Sequence, residues 1–369
     1  MQLVALGAQD AHLTGDPKVS FFRSSYQRHT HFSGMTDRQI IQGVPAASGI
    51  STIRFERKGD LLNYVYLVAL GTDGSIKKIN WSTVINKVEL LIGGQVIDTH
   101  DYAYMSKIHP VLMTDTWSKR YNNDEASTKY FCPFRFFFCE DWQSSLPLVA
   151  LQYHDVEIRI TWGTNVATPG GVTVQQYEAY SRFVYLDTAE REFFAKSPGM
   201  DILIEQVQRV LQPPAGQDKA DLVLSHPVKF VAAGNVIATN YANVVVKQQI
   251  NGVDVANFRP LPLWVDATQY YHTPYGYISS GGGGGAIDSA VSNVFLVPFC
   301  LDTAKLQPTG TLNFSRIDTY KLVVSGTMDT GASATWDKVL DTGFSPYFYA
   351  VNYNILRIMN GMGALLYAN

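Results

Sequence analysis

The segment VELLIGGQVI at residues 88–97 returns without a gap as VKQQINGVDV at residues 246–255, sharing Val, Ile and the second turn glycine at an offset of 158. Self-similarity at a fixed spacing points to two copies of one structural unit, and it narrows the possible folds more than any local pattern does. A second echo agrees. LPLVALQYHDVEIRI at 146–160 lines up with QPTGTLNFSRIDTYKLVV at 307–324, matching Pro147 with Pro308, Leu151 with Leu312 and Tyr153 with Phe314 at an offset of 161. A chain of 369 residues is also longer than a single hydrophobic core usually grows, so two units are expected.

Each unit reads as β-structure. Val156, Ile158, Ile160 and Trp162 alternate with Glu157, Arg159 and Thr161, the period-2 pattern of a strand with one buried and one wet face. In VELLIGGQVID, Gly93-Gly94 separates two apolar runs and supplies the positive φ angles of a two-residue hairpin turn. Ile53 and Phe55 alternate with Arg54 and Glu56 before Lys58-Gly59-Asp60, and LLNYVYLVAL at 61–70 follows, so a second hairpin is expected there. Helical signals are few. Residues Asp101 to Met113 are expected to be helical in part, interrupted at Pro110, and Asp187 with Glu190 forms a capping-box pattern opening a helix to about Lys196. Ser197-Pro198-Gly199 then marks a turn before the strand-like run Ile202 to Leu211, and the domain boundary is placed there. The expected fold is all-β: two tandem eight-stranded antiparallel sandwiches of jelly-roll size with a few short helices.

Composition excludes several functions. With 29 Lys+Arg against 32 Asp+Glu the formal charge is -3, which gives no basic excess to draw in a phosphate backbone, so no direct nucleic-acid partner is expected. Cys132, Cys139 and Cys300 are an odd set that cannot close into disulfides, which suits synthesis in a reducing cytoplasm. No apolar run approaches the ~18 residues of a membrane span, and no signal peptide is expected in the start MQLVALGAQDAHL. The aromatic load of 21 Tyr, 19 Phe and 6 Trp favours sheets and large packed interfaces.

QLVALGAQDAHLTGDPKVSFF at 2–22 and YQRHTHF at 26–32 resemble the amino-terminal signature of the major capsid proteins of nucleocytoplasmic large DNA viruses, of the chlorella-virus and iridovirus type. VELLIGGQVID, LPLVALQYHDVEI at 146–158, YLDTAER at 185–191, NFSRID at 313–318 and NYNILRIMNGMGALLYAN at 352–369 resemble the same family, in the same order along the whole chain. The resemblance implies a double jelly roll, with an amino-terminal arm at residues 1–18, a first jelly roll at 19–197 and a second at 198–369. It implies a structural, non-enzymatic protein that homotrimerises into pseudo-hexagonal capsomers tiling an icosahedral virion shell, assembled in the host cytoplasm. Its implied partners are itself, neighbouring capsomers, and minor capsid proteins and an inner membrane beneath the shell, with glycans on outer loops. A minor or penton-type capsid protein is the alternative within the family. The chain looks short for that family, and the missing residues are expected in loops of the second jelly roll, where Pro260 to Val291 is compact.

Features that suggest chemistry have simpler readings, so no catalytic, cofactor-binding or metal residue is assigned. Gly281 to Gly285 lacks the Lys-Ser/Thr of a phosphate loop and reads as a flexible outer loop. Cys132, Cys139 and His154 lack metal-ligand spacing, and both cysteines sit among phenylalanines as small core hydrophobes. His29 and His31, near Arg23 and Arg28, offer a titratable sensor for uncoating, but a structural role at the base is preferred. Asn80-Trp81-Ser82 and Asn313-Phe314-Ser315 are formal glycosylation sequons, with Asn313 in an expected strand. Glu140-Asp141 and Asp187-Glu190 supply carboxylates that a glycan-cleaving amidase on paired jelly rolls would need, without the nucleophile and orienting group that would complete a site. A secreted lectin-like sandwich would call for a signal sequence and disulfides.

Overall fold

The computed structural model describes residues 7–114, 128–234, 236–237, 243–274, 294–328 and 331–367. The first half contains β1 (Phe32–Gln39), β2 (Ile50–Arg54), β3 (Leu61–Leu70), β4 (Ile85–Ile92), β5 (Gln95–Asp101), β6 (Phe131–Pro133), β7 (Val156–Trp162) and β8 (Gln176–Leu186). The second contains β9 (Gly199–Leu211), β10 (Lys219–Asp221), β11 (Pro227–Ala233), β12 (Val244–Ile250), β13 (Val253–Pro260), β14 (Phe295–Pro298), β15 (Tyr320–Gly326) and β16 (Tyr347–Met359), followed by β17 (Met362–Leu365). One sheet runs β1-β8-β3 with β6 also on β3, and its mate runs β2-β7-β4-β5. Adding eight to each strand number gives the other two sheets, β9-β16-β11-β14 and β10-β15-β12-β13. This is a jelly roll, twice, and every ladder between these strands is antiparallel.

The register explains why these residues became strands. Along β7, Val156, Ile158, Ile160 and Trp162 face the first core, with Ile158 and Ile160 beside Leu90 and Val88 of the neighbouring strand, while Glu157, Arg159 and Thr161 face the partly wet side. Gly93 and Gly94 take φ of 58° and 82° at the tip of the β4–β5 hairpin, and Asn251 and Gly252, at φ 49° and 78°, do the same for β12–β13. The first echo is therefore one hairpin built twice. The second echo falls on equivalent strands, but its register slips: Ile158 stands across from Leu90 as Leu322 stands across from Gln248, an offset of 164.

Three local expectations are corrected. Residues 50–70 do not form a hairpin, because Ile53 pairs with Ile158 in one sheet while Leu61 pairs with Val184 in the other. Lys58-Gly59-Asp60 is the crossing between layers. Asp60 anchors it, its carboxylate accepting from the Leu186 amide at 2.9 Å and pairing with Arg191 at 3.0 Å. A Cβ on Gly59 would lie 2.6 Å from Phe183 Cβ, so glycine lets the chain pass close to the opposite strand. Pro110 does not interrupt its helix: a π-helical stretch, Tyr104–Ile108, runs into the α-helical turn His109–Leu112, where proline occupies the first turn and its missing N–H is no loss. The helix Thr188–Lys196 begins at Asp187 as expected, but the capping box is not closed. Asp187 accepts from the Thr188 amide, while Glu190 accepts from the Thr30 hydroxyl at 2.7 Å and ties the segment leading into β1 to the helix.

The π-to-α device also recurs: Leu263–Ala267 runs into Thr268–His272, at an offset of 159 from the first. The last strands close the molecule. β17 pairs with β16, and this hairpin packs beneath the first half, where the Tyr153 amide donates to Gly361 O at 2.9 Å and Gly363 leaves room for Leu151 and Ile92.

Candidate assembly surfaces

The residues that suggested chemistry are not gathered into a site. Cys132 is buried on β6 opposite Leu67, Cys139 lies in the helical turn Phe137–Glu140, and His154 sits instead against Gly363, its Nδ1 3.2 Å from the Gly363 amide nitrogen. Burial pushes the thiols of Cys132 and Cys139 up to about 12. Among the described residues no three His, Cys, Asp or Glu side chains are grouped to hold a metal ion. Glu140 is held by Arg135 at 3.0 Å, at the end of a helical turn rather than on a strand. His29 and His31 are exposed on the segment leading into β1, His29 Nδ1 lying 2.7 Å from Thr30 O. Both sequons form capped 3₁₀ turns: Asn80 and Asn313 accept from the amides of Ser82 and Ser315, and Trp81 and Phe314 are buried. Gly281 to Gly285, and the compact stretch from residue 275 onward, lie outside the described residues.

The best-defined surface lies between the halves. The outer face of β11, β14 and β16, the one turned away from the second core, carries Phe230, Ala232, Leu296, Tyr349 and Val351, all inaccessible to solvent. They belong to the apolar cluster of the first half, because the stretch Tyr104–Leu112 lies over them. Tyr349 donates to Asp101 Oδ2 at 2.7 Å, its ring is 5.6 Å from Tyr104, and the Thr303 hydroxyl donates to Leu112 O at 2.5 Å. Asp98 Oδ1 accepts from the Val207 amide at 3.1 Å, and its other oxygen lies 2.8 Å from His100 Nε2. Burial raises the phenols of Tyr104 and Tyr349 well above their ordinary range. Beside this contact, Lys229, fully buried, reaches Glu205 at 2.5 Å and Lys305 O at 2.8 Å, and burial still pushes the Glu205 carboxyl up against the pull of that lysine. A cavity of about 910 Å³ remains between the halves, lined in part by His100, His109, Glu140 and Glu205.

Strand register identifies the matching face on the first half. Tyr66 lies between Tyr180 and Pro133 as Phe230 lies between Val351 and Pro298. One pleat along, Val68 lies between Glu178 and Phe131 as Ala232 lies between Tyr349 and Leu296. Among the described residues, nothing covers this face as the first half covers the second. Tyr64, Tyr66, Phe131 and Tyr180 are half-buried, Tyr66 stacks on Tyr180 at 5.6 Å, and Arg182 lies over Tyr64 and the exposed Trp142. Between them runs an apolar groove of about 540 Å³ lined by Tyr64, Tyr66, Val68, Ile76, Tyr130 and Phe131. The covering element has an exposed counterpart too: Leu263, Tyr270 and Tyr271 face solvent, whereas every residue of Tyr104–Leu112 is buried. Apolar side chains are also exposed along the amino-terminal segment before β1, at Leu13, Val19, Phe21, Phe22 and Tyr26. From its apolar run alone LLNYVYLVAL reads as a more fully buried strand, and the outward alternation Tyr64, Tyr66, Val68 is the signal that distinguishes an interface face from a core face.

A family model described as the major capsid protein N-terminus matches residues 20–187, and one described as the large eukaryotic DNA virus major capsid protein matches residues 287–364. The major capsid protein of Pyramimonas orientalis virus is 32% identical over an alignment of 408 positions, covering 100% of this chain and 99% of that protein. That alignment is longer than the chain's 369 residues, so the relative carries insertions. The major capsid protein of Paramecium bursaria Chlorella virus 1 is 31% identical, again over 100% and 99%. A quasi-atomic structure of the PBCV-1 capsid superimposes with a TM-score of 0.72 at 26% identity, covering 95% of this chain and 100% of that one.

Proposed function

Because the chain belongs to the major capsid proteins of large eukaryotic DNA viruses, a family with a structural role in the virion capsid, we propose that three copies close into one pseudo-hexagonal capsomer. The observation that carries this reading is the mismatch between equivalent faces. Among the described residues, the outer face of the second half is covered by the first half, while the equivalent face of the first half is only half-buried and the equivalent helix of the second turns Leu263, Tyr270 and Tyr271 to solvent. Repeating the internal contact from chain to chain satisfies both surfaces and forms a head-to-tail interface that closes if the rotation is close to one sixth of a turn. Six sandwiches from three chains then fill a hexagonal lattice position. Obligate interfaces of this kind commonly bury ~2,000 Å² or more and draw on aromatic side chains, which suits the faces described here.

In this reading the chain divides into an arm at residues 1–18 and jelly rolls at 19–197 and 198–369. The arm lies at the capsomer base, toward minor capsid proteins and an inner membrane, and assembly takes place in the host cytoplasm. The protein acts as the major shell component and performs no catalysis. The test is the mass of the purified protein at micromolar concentration. A species near three times 41.0 kDa is expected, whereas a persistent monomer would sink the capsomer, and a monomer that releases glycans from glycopeptides would favour the amidase.

A further inference from the structure

Resting on that reading, we propose that Leu263, Tyr270 and Tyr271 of one copy seat in the apolar groove lined by Tyr64, Tyr66, Val68 and Phe131 on the next copy. Three observations point to this occupant. The groove is the register-equivalent of the face that Tyr104–Leu112 covers inside the chain, since Tyr66 and Val68 occupy the places of Phe230 and Ala232. Leu263–Ala267 and Thr268–His272 repeat the π-to-α form of Tyr104–Leu112 at an offset of 159, which sets Tyr271 at the position of Leu112. Leu112 is fully buried where the first half meets the second, and Tyr271 is 75% exposed.

The chemistry of the two surfaces fits. The groove is walled by aromatic rings and aliphatic side chains, and Arg135 and Glu140 at its rim are already paired with each other at 3.0 Å. An incoming pair of tyrosines loses little hydration, and each ring can pack edge-on against Tyr66 or Phe131 with its hydroxyl left at the wet margin. Trp264 and Val265, on the other side of the same helix, are buried in the second core, so the donor element is held rigid from behind. Rigid aromatic anchors entering a preformed groove are the features that concentrate binding energy in an interface.

The test places a photoreactive benzoylphenylalanine at Tyr271 in a mixture of isotopically light and heavy chains, after the mass of the unaltered protein has been measured. Cross-linked peptides joining position 271 to residues 64–68 or 130–134 of a different copy are the expected result. Cross-links mapping elsewhere, or only within one copy, in a particle of trimer mass overturn the docking while leaving the capsomer intact. An unaltered chain that stays monomeric overturns both. As a second measurement, the double variant Tyr270→Asp/Tyr271→Asp is expected to raise the concentration needed for half-assembly at least about tenfold while its far-ultraviolet circular dichroism is unchanged. Unweakened association would count against the proposal.

Discussion

At the scale of single residues, burial decides reactivity. Cys132 and Cys139, pushed up to about 12, carry almost no thiolate at neutral pH. A thiol-specific reagent at pH 8 is expected to leave both unmodified in the folded protein and to label them at once in denaturant, and fast native labelling of either would contradict the packing described. Tyr104 and Tyr349 extend the logic to high pH. Their folded phenols titrate far above an unfolded tyrosine, near pH 10, so their contribution to stability is complete below about pH 10 and is lost as pH rises beyond it. Stability is expected to fall with pH, each phenol's slope approaching about 1.4 kcal/mol per pH unit only above about pH 10, as read by denaturant titration between pH 9 and 11, with Tyr349→Phe flattening the fall. The phenylalanines around Cys132 marked it as a core residue, whereas Cys139, read the same way, is only partly buried beside the groove. The sequence could not reveal Tyr349, whose partner Asp101 lies 248 residues away.

At the scale of elements, turns specified by glycine and strands specified by alternation were legible, and crossings between layers were not. Gly93-Gly94 and Val156 to Trp162 each state their own geometry locally. Lys58-Gly59-Asp60 reads identically whether the next strand pairs back or jumps to the other sheet, and only Val184, Leu186 and Arg191 on distant elements decide it. Two substitutions separate these cases. Gly94→Val, at φ 82° with open space beside it, is expected to cost about 1–2 kcal/mol from backbone strain alone. Gly59→Ala adds a collision with Phe183 and is expected to cost about 1–3 kcal/mol as an overpacked site. Thermal melts rank both, and a neutral Gly59→Ala would mean the layer crossing is looser than described.

At the scale of the whole molecule, duplication was visible in sequence because a hairpin turn tolerates little change. The surfaces that make duplication useful were hidden, since equivalence between Tyr66 and Phe230 exists only through their strand neighbours. The halves are not independent, because the first apolar cluster takes in Ile204, Phe230, Leu296 and Val351 from the second. Residues 1–197 produced alone are therefore expected to expose Tyr104 and Ile108, bind a hydrophobic dye and aggregate, and a well-behaved fragment would argue for separable domains. The β16–β17 hairpin beneath the first half has a consequence in time. Residues 347–365 seal the underside of residues 151–153, which leave the ribosome about two hundred residues earlier, so synthesis that stops between the two releases a product with an open floor.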